Sequence, residues 1–218
     1  LPSAILFSRF NFRGKSLLRA LTAVPFMLPT VVVASSFNAL FGNHGIFSFL
    51  FPLSPEFTTS KTFYFLLILL AHIFYNTTIV IRIVGNALSR LDPKLEAAAR
   101  SLGADSFHTW KNITLPLLRP SLLAAALLVF MFDFTSFGVI LLLGGSNFST
   151  LEVEIYLRVL KLPNLPLAAL LSIVQLIFTL IFSILYTRTI NQVTTQTAPR
   201  FSASRPPKTI RERIFVFT

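Results

Sequence analysis

Four long apolar runs divide the chain, at Ala20–Phe41, Thr62–Val84, Ser121–Leu143 and Leu165–Thr187. A hydrocarbon layer about 30 Å thick takes roughly 20 helical residues to cross, so each run predicts a spanning helix. Pro25 and Pro29 fall in the first run and predict a kink there. Such kinks are tolerated when hydroxyls or neighbouring helices satisfy the freed carbonyls, and Thr30, Ser35 and Ser36 are close by in sequence.

The segments between the runs differ in character. Gly42–Lys61 is rich in Gly, Pro and Ser, with a short interfacial stretch expected at Phe47–Phe51. Gly144–Asn164 holds a Gly-Gly turn and then an amphipathic run, for which a short helix is expected from near Thr150. Glu152 and Glu154 would lie in its first turn, where the helix dipole favours acids. The tail Asn191–Lys208, rich in Thr, Ser, Pro and Arg, predicts a flexible linker. Ile214–Thr218 begins to look apolar, and Leu1–Phe7 looks like the end of an apolar segment, so the sequence reads as clipped at both ends.

The 218 residues are 54% hydrophobic and only 12% charged, about half the charge of an ordinary globular chain. That excludes a soluble domain of this length and indicates an integral membrane protein. With no cysteine there is no disulfide framework and no thiol chemistry. The net charge of +11 would suggest nucleic acid if it were spread evenly, but the basic residues fall in blocks between the apolar runs, as topology requires. Sixteen of the nineteen flank three segments that must share a side: the N-terminal one, the loop between the second and third runs, and the tail. Only Lys61, Arg158 and Lys161 lie on the other side. The loop from Leu88 to Ile113 and both ends are therefore expected to be cytoplasmic.

That loop, Pro93–Pro116, carries its own start, turn and stop signals. Asp92-Pro93 is a strong helix start, since Asp caps free amides and Pro suits the first helical position. Ala97-Ala98-Ala99 gives a thin, smooth face, and Gly103 marks a left-handed cap. Ser101 and Leu102 sit at the elbow. Asp105 and Ser106 can cap a second helix running to about Ile113, and Pro116 should disfavour helix at Leu115 and turn the chain back toward the membrane. Physically this reads either as a docking surface or as an interfacial hairpin on lipid headgroups, the latter supported by Arg100, Trp110 and Lys111.

The same residues resemble the coupling motif of bacterial ABC importer permeases of type 1. That motif is E-A-A, three residues, Gly, nine residues, then I-x-L-P. Gly103, Ile113, Leu115 and Pro116 match in spacing, and Ala98 and Ala99 take the alanine places. The acidic place falls on Ala97, with Glu96 one residue early, a rotation of about 100° along a helix. FRGKSLLRALTAVPFMLPTVVVA, LLAHIFYNTTIVIR, LDPKLEAAARSLGA and FTSFGVILLLGGSNFSTLEVEIY are similar to the iron(III) and thiamine branch of these permeases.

The resemblance implies an all-α integral membrane bundle of about four spanning helices with a cytoplasmic coupling helix pair. Residues 1–190 would form a type-1 transmembrane domain lacking its first helix or helices. Residues 191–213 would be a linker, and 214–218 the start of another membrane helix. It further implies a multi-pass protein of the bacterial cytoplasmic membrane. A cytoplasmic ATPase dimer would dock on Glu96, Ala97, Ala98, Ala99, Ser101, Leu102, Gly103, Ala104, Ile113, Leu115 and Pro116. An extracytoplasmic binding protein would deliver substrate, and a second permease half or subunit would complete the pathway in the bilayer. ATP would be bound by the partner subunit; the chain has no GxxxxGK[ST] loop and no HExxH, and no catalytic residue or cofactor of its own is assigned. The substrate implied is iron(III) or thiamine, with sulfate, molybdate or polyamine as alternatives.

Asp133 lies within the third apolar run, where an acid is costly and is by default a functional candidate. It would face the pathway or pair with another helix. His72 and Asn76 are one turn apart and share a face, for helix packing or substrate contact. His44 and His108 are isolated in sequence, so three scattered histidines do not make a metal site. Two competing classes remain. A membrane-embedded enzyme would need a nucleophile–base pair, for which only Asp133 and His72 offer themselves; a passive channel would not need the two-helix loop.

Overall fold

The computed structural model describes residues 2–42, 45–47, 54–144, 148–161 and 163–196, and every regular element among them is helical. In chain order these are α1 (Pro2–Arg9), α2 (Lys15–Leu21), α3 (Val24–Met27), α4 (Thr30–Phe41), α5 (Pro55–Thr58), α6 (Lys61–Arg90), α7 (Pro93–Ser101), α8 (Ser106–Thr109), a π-helical turn (Trp110–Thr114), α9 (Leu115–Phe134), α10 (Gly138–Leu143), α11 (Leu151–Leu160) and α12 (Leu165–Gln196). The chain divides into two compact units. Among the described residues, one draws on 2–22, 78–129 and 183–196, and the other on those between 23 and 77 and between 130 and 182.

Among the described residues three helices are long and apolar enough to span a membrane: Lys61–Arg90, Ser106–Phe134 and Leu165–Asn191. A fourth arises only if the pair Lys15–Met27 and Thr30–Phe41 is taken as one span, and that pair is bent by 102°. The first run is thus broken, not merely kinked. Leu28 (ψ 141°) and Pro29 (ψ 137°) are extended. Proline removes an amide and pushes the preceding residue out of helical geometry, as Pro29 does to Leu28, whereas Pro25 sits in the first turn of α3, where a proline is tolerated.

The third span also departs from the hydropathy pattern, which placed it at Ser121–Leu143. It begins fifteen residues earlier and ends at Phe134; after Thr135–Phe137 the apolar residues form the separate helix α10. Gly138 lets α10 approach α4, for a Cβ there would lie 2.6 Å from Thr30 Oγ1. The expected turn at Pro116 is absent. Leu115 is helical (φ −65°, ψ −45°), and α8 continues through the π turn into α9. The Leu115 amide reaches back five residues to the Trp110 carbonyl. This wider turn relieves the clash a proline ring would otherwise make with the preceding turn.

In the unit holding residues 78–129, small residues allow close helix contact. Ala4, fully buried, packs with Val84 and Ala125, and Leu118 with Ala87 and Leu88. In the other unit Ala34, Leu67, Ile68, Ala71, Val139, Ile140, Leu143 and Val153 form the core. Phe130 and Phe134 of α9 meet Phe178 and Phe182 of α12, with the Phe130 and Phe182 rings 4.5 Å apart. Elsewhere α12 exposes Leu170, Ile173, Leu176, Leu180 and Ile184, each more than half accessible, as befits a helix whose solvent is hydrocarbon.

The amphipathic helix expected near Thr150 is α11, with the Thr150 hydroxyl accepting from the Val153 amide. Helix α12 runs to Gln196, past the point where the composition changes at Asn191. The rest of the linker, the apolar start at Ile214, and most of Phe47–Phe51 lie outside the described residues.

Candidate functional site

The loop begins where its composition predicts. Asp92 caps α7 by accepting from the Lys94 amide at 2.9 Å, with Pro93 at the first helical position. It ends in a complete left-handed cap. Gly103 has φ +87°, its amide reaches the Arg100 carbonyl, and the Ala104 amide reaches that of Ala99. These two bonds satisfy carbonyls that the helix end would otherwise leave free. Asp105 then caps α8, taking the His108 amide at 2.7 Å and its ring Nδ1 at 2.8 Å. The His108 amide first, then its ring, hold the Asp105 carboxyl below its ordinary range.

The coupling candidates separate into two faces. Ala97, Ala98, Ser101, Leu102 and Gly103 are exposed, and Leu102 is 89% accessible. Ala99 is buried, and Ala104, Ile113, Leu115 and Pro116 are partly so. Glu96 also turns inward. It pairs with Arg9 of α1 and accepts from Thr114 Oγ1 at 2.8 Å, and Thr114 itself is 1% accessible. Glu96 therefore ties α7 to α1 and to the π turn. The one-residue offset from the motif is what sends its carboxylate inward while Ala97 and Ala98 face out. Phe107, 67% accessible, is a further exposed apolar residue of this loop. The sequence reading missed it and the fastening residues Arg9 and Thr114.

The membrane candidates do come together. His72 and Asn76 of α6 meet Asp133 of α9, with Asn76 Nδ2 donating to Asp133 Oδ1 at 2.6 Å. His72 Nε2 lies 3.7 Å from the same oxygen and 2.9 Å from Ser136 Oγ; its Nδ1 faces the Ile68 carbonyl at 2.9 Å. The carbonyl can only accept, so Nδ1 carries a proton, and Nε2 meets the Ser136 hydroxyl. Ser136 was not foreseen; a small hydroxyl residue inside an apolar run carries no signal in sequence. The arrangement is not a hydrolytic relay, in which the acid would orient the ring through Nδ1. Here the carboxylate approaches the nitrogen that already meets the serine. Asp133 has no Lys or Arg partner among the described ion pairs, and its side chain is 37% accessible. No group of three or more metal-ligating side chains occurs among the described residues.

Two features therefore stand together: several apolar spanning helices, and a capped loop with a fastened inner face and an open outer one. Residues 1–194 match the family described as binding-protein-dependent transport system inner membrane component. The chain belongs to that family. These are the type-1 permeases of ABC importers, multi-pass membrane components. Among curated relatives, the chain is 30% identical to the sulfate transport system permease protein CysT of Salmonella typhimurium, over 83% of this chain and 66% of that protein. It is 32% identical to the thiamine transport system permease protein ThiP of Haemophilus influenzae, over 81% of this chain and 33% of that one. The chain thus spans between one third and two thirds of the length of these permeases. The fold is shared with a bacterial ABC transporter involved in import of the acidic polysaccharide alginate, at TM-score 0.68 and 16% identity, covering 88% of this chain and 72% of that one.

Proposed function

We propose that this chain forms part of the translocation pathway of an ATP-driven importer and receives a cytoplasmic ATPase dimer on α7. A second permease half or subunit completes the pathway, an extracytoplasmic binding protein supplies the solute, and ATP is bound by the partner. The observation that carries this reading is the outer face of Ala97, Ala98, Ser101 and Leu102, held by the Asp92 and Gly103 caps and fastened beneath by Glu96. Small side chains admit a close partner surface, and Leu102 presents an apolar knob to a groove. Helix α8 runs without a break into a spanning helix, and Glu96 ties α7 to it through Thr114, so the docking face moves with that helix, which is what coupling requires. The positive-inside pattern supports a cytoplasmic position for this loop and for both ends of the chain.

For the solute, a carboxylate in a spanning helix with no Lys or Arg partner among the described ion pairs favours a cation. Asp133 thus supports thiamine or iron(III). The relative named for sulfate transport supports the opposite charge. Uptake by the complete transporter of thiamine, iron(III) and sulfate, each with its own binding protein, separates the two readings.

The docking reading is tested by co-purifying the complete permease with its ATPase. Wild type should retain the ATPase, and Leu102→Glu should reduce retention by roughly tenfold, the equivalent of about 1.4 kcal/mol, with unchanged thermal stability. A wild-type permease that retains no ATPase would falsify the proposal.

A further inference from the structure

Away from the loop, the unit that holds α1, α2 and the end of α6 contains a cavity of about 150 Å³ with no assigned role. At ~30 Å³ per water, that is room for roughly five waters. Its lining includes Lys15, Arg19, Ser8 and Ser89, and no acidic residue. Lys15 and Arg19 are four apart on α2, so two like charges share one helix face, an arrangement that is unfavourable unless an anion lies between them. Both cations meet only neutral groups in their described hydrogen bonds: Lys15 Nζ the Phe10 carbonyl at 2.8 Å, and Arg19 Nη2 the Asn86 side-chain oxygen at 3.3 Å. An ammonium has three donors and a guanidinium five, so most remain available. The two hydroxyls bond to carbonyls three residues back in their own helices, Ser8 to Ile5 and Ser89 to Asn86. Rotation about one bond redirects either toward a ligand.

We propose that this cavity binds a phosphate group, held by Lys15 and Arg19 and completed by Ser8 and Ser89. Two cations and two hydroxyls converging on a space of this size fit the tetrahedral, multiply accepting oxygens of a phosphate. The phosphate can belong to an anionic lipid headgroup or to a free phosphate ion. Basic pockets between membrane helices are suited to the former, and the exposed Leu17, Leu18 and Leu21 on the same short helix supply an apolar surface for acyl chains.

The test uses the complete permease in two kinds of nanodisc, phosphatidylcholine alone and phosphatidylcholine with phosphatidylglycerol, reading the melting temperature and the lipid retained in native mass spectra. A third arm adds inorganic phosphate to the phosphatidylcholine sample. Retention of phosphatidylglycerol with a raised melting temperature assigns the site to a lipid headgroup; a rise with inorganic phosphate alone assigns it to the free ion. In either case Lys15→Gln with Arg19→Gln should weaken binding by about a hundredfold, or tenfold per charge removed. The charge-conserving Arg19→Lys should largely retain binding, which separates lost charge from misfolding. No response of the wild type in any arm, or an equal response in the double variant, overturns the proposal.

Discussion

The loop Pro93–Pro116 and the polar cluster around Asp133 are built on opposite plans. Every partner in the loop's caps lies within five residues in sequence, so each helix end is closed by its own neighbours. The cluster instead joins residues 57 and 64 positions apart, Asn76 with Asp133 and His72 with Ser136. Caps closed locally hold their helix ends without distant partners, and among the described ion pairs only Glu96 fastens the loop to Arg9, which suits a surface that must present the same face through a transport cycle. A cluster assembled from two helices holds only while those helices keep their spacing, so it can report or resist their movement. The first region works by shape, the second by charge.

The largest expected effect tests shape. At Gly103 a Cβ would meet nothing within 4 Å, yet φ is +87°, so any penalty comes from backbone conformation rather than from crowding. Gly103→Val should cost about 1–2 kcal/mol locally and distort the outer face. Transport should fall to near background and ATPase stimulation should be lost, with membrane insertion intact. Uptake at the wild-type rate would show that the left-handed cap is dispensable.

An intermediate effect tests charge. Asp133→Asn keeps an oxygen for the Asn76 amide but removes the carboxylate. Uptake of a cationic solute should drop by roughly tenfold, as expected for an interaction of about 1.4 kcal/mol, while ATPase retention and melting temperature stay near wild type. If melting collapses instead, the carboxylate is a structural tie and the contrast between the two regions disappears.

The smallest effect concerns Glu152 on α11, outside both regions and outside the spanning helices. Burial raises its carboxyl above the ordinary range, partly offset by the hydrogen bond from Gln175 Nε2 at 2.9 Å. The folded state therefore binds a proton more tightly than the unfolded one. Its contribution to stability is present below the unfolded value and is lost as pH rises through the folded one. Glu152→Gln should flatten this part of the pH dependence of melting, stabilising slightly at neutral pH and changing little in acid. Parallel melting curves for the variant and wild type across that range would refute the assignment.

Hydropathy and local signals in the sequence determined the helical membrane class, the capped loop with its two helix starts, the glycine turn, the short helix after Thr150 and the basic asymmetry, because each depends on residues within a turn or two of one another. The family resemblance rested on the same short-range spacing. The break at Leu28–Pro29, the early end of the third span at Phe134 and the helical passage through Pro116 were decided by the folded structure. In each case a proline or glycine permits several outcomes that local signals do not rank: the close approach of Gly138 to Thr30 accompanies the early end of the third span, and a π turn accommodates Pro116. Tertiary structure alone turned Glu96 inward to Arg9 and Thr114, brought Ser136 to His72, and gathered Lys15, Arg19, Ser8 and Ser89 around one cavity. Side chains on separate helices meet only once those helices have packed, and no spacing along the chain records that meeting.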